Sequence, residues 1–146
     1  MKRGRKVQSI AWLALFAMFA LGSRATRGRA RGGGRMLTLE QLRELARSAG
    51  FPDGAVDVAV AVAMAESRGD PHAVGDGGTS FGLWQVHTPS HPEFDASRLL
   101  DPQYNAHAAF LISRGGTDWH LWSTHNPGPH GEAPAYLQYM PGGSAA

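Results

Sequence analysis

Gly54-Ala-Val-Asp-Val-Ala-Val-Ala-Val-Ala-Met-Ala-Glu-Ser67 holds one charge, Asp57, before Glu66. The alternating valines are compatible with a strand, but alanine is a poor strand former and Asp53 stands in front as a helix cap. The run therefore predicts a helix over about 54–67. Asp57 falls in its first turn and the rest is apolar on every face. A helix without a polar face must be enclosed by other elements, so this one is the centre of the fold. It ends abruptly in Glu66-Ser67-Arg68-Gly69-Asp70-Pro71.

Upstream, Thr38 and Gln41 have capping-box spacing, and Leu37, Leu39, Leu42 and Leu45 supply an apolar stripe. Gly50 and Pro52 stop that helix, which the pattern predicts over 39–49. Downstream, 69–80 is a Gly- and Asp-rich loop, with a turn signal at Asp76-Gly77. Phe81 to His87 is short and β-prone, one arm of a small hairpin. Asp101 and Pro102 are a cap and a first-turn proline for a helix over 102–113, with Tyr104, Ala108, Leu111 and Ile112 facing inward. Trp119 and Trp122 follow in a last turn or short helix. The remainder is rich in Gly and Pro, with Tyr136 to Met140 as its one ordered patch. No repeat is visible. The class is mainly α with a small β element.

The charge is divided unevenly along the 146 residues. Nine of the fourteen basic residues and none of the twelve acids lie in 1–36, so the remainder carries five bases against twelve acids, a net of −7. An acidic domain without basic clusters is a poor partner for phosphate backbones, which excludes nucleic acid as the expected ligand. Cysteine is absent, so disulfides, thiolate nucleophiles and Cys-based zinc sites are excluded, while the compartment stays open. Residues 1–35 form a basic, apolar leader: Lys2 to Lys6 precede the uncharged run 7–23. That layout suits a secretory signal, or an anchor with membrane contact through 7–23, although the arginines beyond it oppose export. A third reading starts translation at Met36. The expected location is secreted or cell-envelope; a start at Met36 removes the export signal and suits a phage-associated protein. The expected organisation is a leader at 1–35, one domain at 36–128 and a Gly/Pro-rich tail at 129–146.

Glu66 is the residue whose position suggests chemistry. It stands where the buried helix surfaces. Partial burial and the negative helix end both disfavour its ionised form, and Asp70 and Asp76 are near enough in sequence to add repulsion. A carboxyl protonated near neutral pH is what protonation of a departing sugar oxygen requires. The alternative on position alone is a solvated helix end.

The ordered series Ala65-Glu66-Ser67, Asp70-Pro71-His72-Ala73-Val74-Gly75 and Gly82-Leu83-Trp84-Gln85-Val86 resembles the soluble lytic transglycosylase (SLT) domain of the lysozyme-like superfamily. The likeness continues through Leu100-Asp101-Pro102-x-x-Asn105-Ala106 and Trp119-His-Leu-Trp122-Ser-Thr-His-Asn126, covering about 39–128. It implies the goose-type lysozyme fold and peptidoglycan glycan strands as substrate. It also implies that Glu66 is the catalytic acid and then base, giving 1,6-anhydro products with no cofactor or metal. Ser67, Gly82, Leu83, Gln85, His125 and Asn126 match positions expected to bind substrate. The departure is His125, where the family has Tyr beside the catalytic carboxyl; a histidine there is able to bond Glu66 and, protonated, to lower its pKa.

Other chemistries remain open. Asp70, Asp76 or Asp95 is available as the second carboxylate of a hydrolytic muramidase. Trp84, Trp119 and Trp122 suit either sugar faces or the core, with the core expected for Trp119. His87 and His91 are separated by Pro89 and lack a carboxylate to complete a metal set. Another class of function is a non-catalytic wall-binding or structural module, such as a virion tail component.

Overall fold

The structure, a computed structural model, describes residues 35–143. Residues 1–34 of the expected leader, including the 7–23 run, lie outside the described residues. Three helices and a small antiparallel sheet follow: α1 Leu39–Ala49, α2 Asp53–Ser67, β1 Val74–Gly75, β2 Ser80–Phe81, β3 Val86–His87 and α3 Pro102–Ile112. Two 3-10 turns, Ser123–His125 and Ala135–Tyr139, complete the order. None of the described helices is long and apolar enough to cross a membrane.

α1 begins with the reciprocal box: the Gln41 N–H donates to Thr38 Oγ1 at 3.2 Å and the Thr38 N–H to Gln41 Oε1 at 2.9 Å. It ends in a Schellman arrangement, with the Gly50 N–H bonding the Arg47 carbonyl and the Phe51 N–H the Ala46 carbonyl. Gly50 has φ 108, a left-handed conformation that suits glycine. Leu42 is fully buried, whereas Leu39, expected on the same stripe, is 43% exposed.

The start of α2 differs by one residue from expectation. Pro52 is the cap and Asp53 the first helical residue, without a side-chain capping bond. Proline has its φ pre-set and no N–H to satisfy, so it suits the boundary. Asp53 pairs instead with Arg47, 3.6 Å away. The middle of α2 is enclosed as its composition requires, with Val56 and Ala59 to Ala63 all buried.

The stretch 81–87 supplies parts of two strands rather than one arm. β1, β2 and β3 pair in sequence order, with Val74 opposite Phe81 and Phe81 opposite Val86. The reversal takes four residues because Gly82 (φ 75) and Gln85 (φ 46) both adopt positive φ. A Cβ at Gly82 would collide with the Leu99 carbonyl and the Asn105 amide.

Asn105, wholly buried on α3, organises this turn. Its Oδ1 accepts the Trp84 N–H at 2.9 Å, and its Nδ2 donates to the Phe81 carbonyl at 2.8 Å. The Trp84 indole N–H then reaches the Ala59 carbonyl of α2, and the Trp122 indole N–H reaches the Trp84 carbonyl. Around these bonds Phe51 stacks with Trp84 and Trp119. Trp84, Trp119 and Trp122 all belong to the core. A second cluster joins Val86, Leu99 and Ala108 to Phe81, Phe94 and Tyr104. On α3 the buried residues are Asn105, Ala106, Ala108 and Ala109. Leu111, expected inward, is 51% exposed, because six residues from Asn105 leave it well off that face.

Replacing Asn105 by alanine leaves the buried Trp84 N–H without its partner and takes one bond from the Phe81 carbonyl, which also pairs with Val86 across the sheet. We expect Asn105→Ala to lower the unfolding free energy by about 2–4 kcal/mol, measured by urea denaturation.

Candidate active site

α2 ends at Ser67 for local reasons. Arg68 takes a left-handed conformation (φ 56, ψ 26) and its N–H bonds the Met64 carbonyl at 3.0 Å. The Ser67 hydroxyl donates to the Ala63 carbonyl at 2.9 Å and accepts the Gly69 N–H at 3.2 Å. The entering chain is tied to the same point, the Leu37 N–H donating to the Gly69 carbonyl at 2.8 Å. Glu66 therefore projects from a firmly terminated helix end.

Two other segments act on its carboxyl. Thr124, from the turn Ser123–His125, donates its hydroxyl to Glu66 Oε1 at 2.6 Å. Asp76, in the turn between β1 and β2, adds a second negative charge. Glu66 keeps some accessible surface, but the protein around its carboxyl displaces most of the hydrating water. Burial pushes its pKa from an ordinary 4.5 to about 7; the Thr124 hydrogen bond pulls downward and the Asp76 charge adds to the rise. Oε2 has no hydrogen-bond partner among the described residues.

Asp76 is itself constrained. It has φ 48, and its carboxylate accepts the hydroxyl of buried Ser80. Of the other acids singled out in the sequence, Asp70 accepts the His72 N–H at 2.9 Å and Asp95 accepts the Ser97 N–H at 2.8 Å. Neither is among the groups whose charge acts on Glu66. Among the described residues no three His, Asp or Glu side chains converge as a metal site.

The remaining sequence candidates have distinct placements. Ser67 is buried, with its hydroxyl committed to backbone groups. Gly82 and Leu83 are buried in the turn before β3. Gln85 is half-buried; its Nε2 donates to the Ala73 carbonyl at 3.1 Å and the Gly82 carbonyl at 2.9 Å. A Cβ at Gly75 would collide with Gln85 Oε1, so this side chain also accounts for a glycine on β1. Asn126 ties its own turn together by donating to the carbonyls of His120 and Trp122.

His125 does not take the bond to Glu66 that its sequence position suggested. Its neighbour Thr124 does, because successive residues of a short turn point in different directions. The His125 ring stacks on Tyr136 instead, with centroids 4.5 Å apart. Burial lowers the His125 pKa, so the ring is neutral at pH 7 and it does not hold down the pKa of Glu66. Thr124 was missed in the sequence because 58 residues separate it from Glu66 and no spacing rule links them.

The raised pKa has a consequence for stability. A carboxyl whose pKa rises on folding supports the folded state most when protonated. That contribution is complete below pH 4.5 and is lost as pH rises through about 7. Glu66→Gln removes the ionisation. It is expected to stabilise the protein at pH 8 by on the order of 1–3 kcal/mol more than at pH 4, read from urea midpoints. Thr124→Val, which deletes a bond favouring the carboxylate, should raise the Glu66 pKa further in a carboxyl NMR titration.

A family model described as a lysozyme-like domain matches residues 43–124, more than half of the chain, from α1 through Thr124. No curated protein and no solved structure gives a match. The mainly helical build with a small three-stranded sheet agrees with that match, and the family is one of peptidoglycan-acting glycosidases and transglycosylases. The chain belongs to the lysozyme-like SLT domain family.

Proposed function

We propose that this protein cleaves the β-1,4 bond between N-acetylmuramic acid and N-acetylglucosamine in peptidoglycan strands, with Glu66 as general acid and then general base. The observation that carries this reading is the state of Glu66. Its carboxyl has a pKa of about 7, with Oε1 engaged by Thr124 and Oε2 without a partner among the described residues. Such a group is protonated in about half of the molecules at pH 7, with Oε2 as the oxygen left for a ligand.

In the first step Oε2 gives its proton to the glycosidic oxygen as the bond to C1 breaks. Positive charge grows on the muramic acid ring, and the family resemblance assigns its stabilisation to the sugar's own N-acetyl group. The Thr124 hydroxyl strengthens its bond to Oε1 as the carboxylate forms, which favours proton departure. In the second step the carboxylate takes the proton of the C6 hydroxyl while O6 closes on C1. The product is a 1,6-anhydro sugar, and Glu66 regains its proton. One protein carboxylate suffices. Gln85 and the backbone at Gly82-Leu83 are assigned to the groove wall, with Ser67, His125 and Asn126 supporting it. A wall substrate agrees with a secreted or envelope location.

A second reading is hydrolysis within the same fold. It is favoured by Asp76, the carboxylate whose charge acts on Glu66. Water would then attack C1 in place of O6, with Asp76 as the group that orients it.

Digestion of peptidoglycan by the purified protein, followed by mass spectrometry, tests both. Anhydromuropeptides support the first reading and new reducing ends the second. Glu66→Gln should lower cleavage by about 100-fold or more. Cleavage that survives this substitution removes Glu66 from the mechanism. kcat/KM should fall as pH rises above about 7, where the acid loses its proton.

A further inference from the structure

Residues 135–139 lie beyond the segment matched by the family model, yet they pack where they bear on Glu66. The turn Ala135–Tyr139 lies along α2 and against the turn Ser123–His125. Tyr136 is the member of that turn that packs against the main core. Its ring lies on the His125 ring at 4.5 Å and 21° between planes.

The turn beneath it is short and holds itself weakly. Its backbone bonds are the His125 N–H to the Trp122 carbonyl at 3.0 Å and the Asn126 N–H to the Ser123 carbonyl at 3.1 Å. A 3-10 turn of this length has little stability of its own. Trp122 anchors the start through its indole, and Asn126 closes the end through its amide. Thr124, between these anchors, reaches Glu66 at 2.6 Å, and that distance fails with small displacements of the turn. His125 is the residue next to it, with Tyr136 stacked on it and Trp119 at 6.3 Å.

We propose that Tyr136 is a positioning residue for Glu66: by stacking on His125 it holds the turn Ser123–His125 where the Thr124 hydroxyl reaches Glu66 Oε1. The lowered pKa of His125 agrees with this, because it keeps the stacked imidazole neutral at pH 7. The groups that act on Glu66 are the Thr124 hydroxyl, through its hydrogen bond, and the Asp76 carboxylate, through its charge. Those facing His125 are the uncharged rings of Tyr136 and Trp119. The importance of this for turnover rests on Glu66 being the general acid; the coupling itself does not.

The test is a carboxyl NMR titration of Glu66 in the whole protein. Tyr136→Ala should raise the Glu66 pKa by about 0.4–1 pH unit, the size expected for losing one hydrogen bond to the charged form. Tyr136→Phe, which keeps the stacked ring, should restore the wild-type value. In a Thr124→Val background Tyr136→Ala should add nothing, because both changes act through one bond. Tyr136→Leu keeps apolar bulk without the ring and should behave as Tyr136→Ala, which covers the case in which the alanine variant does not fold. An unchanged pKa overturns the proposal. So does a fall, which would mean that Tyr136 only shields the carboxyl from water, and so does a rise that adds to that of Thr124→Val. Absence of glycan cleavage leaves this result standing and removes only the catalytic reading.

Discussion

The chain from Phe81 to Trp84 is largely buried, and its polar groups must find partners inside the protein. One amide side chain, Asn105, supplies two of them at once, accepting from the Trp84 N–H and donating to the Phe81 carbonyl. This sets α3 against the sheet. Trp84 then passes the constraint on, its indole bonding the Ala59 carbonyl of α2 and its own carbonyl accepting from the Trp122 indole. Trp84 and Trp122, which suited sugar faces as well as the core, are thus occupied in fixing the register of helices, sheet and the turn after Trp122. The position of Thr124 depends on that register.

Glu66 sets a local cost against a use. An apolar helix ending in a carboxyl desolvates it, and desolvation alone would favour a proton held too tightly for a group that must release and recover it. The two neighbours act in opposite directions: the Thr124 hydroxyl favours the carboxylate, while the Asp76 charge opposes it. The balance lies at about 7. Asp76 is held for this by a left-handed turn and by the Ser80 hydroxyl, and Thr124 by the packing of its own turn. The strained positions near the site, Arg68, Asp76 and Gln85, all lie where a chain reversal brings a side chain or a helix end to this region.

Much of this is legible along the chain, because it depends on neighbours in sequence. The box at Thr38 and Gln41, the stop at Gly50, the enclosed Val/Ala helix and the start at Asp101-Pro102 each follow from interactions spanning a few residues. So does Glu66 at the end of the buried helix. The errors were also local in kind. Asp53 and Pro52 compete for one cap, and Leu111 has the right chemistry on the wrong face. The stretch 81–87 hides a reversal, since positive φ at a glutamine leaves no mark in a hydrophobicity pattern.

By itself, then, the sequence determined an enclosed central helix, its neighbours, and a carboxyl exposed to desolvation where that helix ends. Periodicity, caps and burial of apolar residues act at short range and are written in consecutive positions. Which side chain answers that carboxyl was decided only by the tertiary structure. Thr124 lies 58 residues from Glu66, and the ring of its neighbour His125 lies on Tyr136 instead. A hydrogen bond of 2.6 Å depends on where two separately anchored turns come to rest, and that follows from packing across the whole domain.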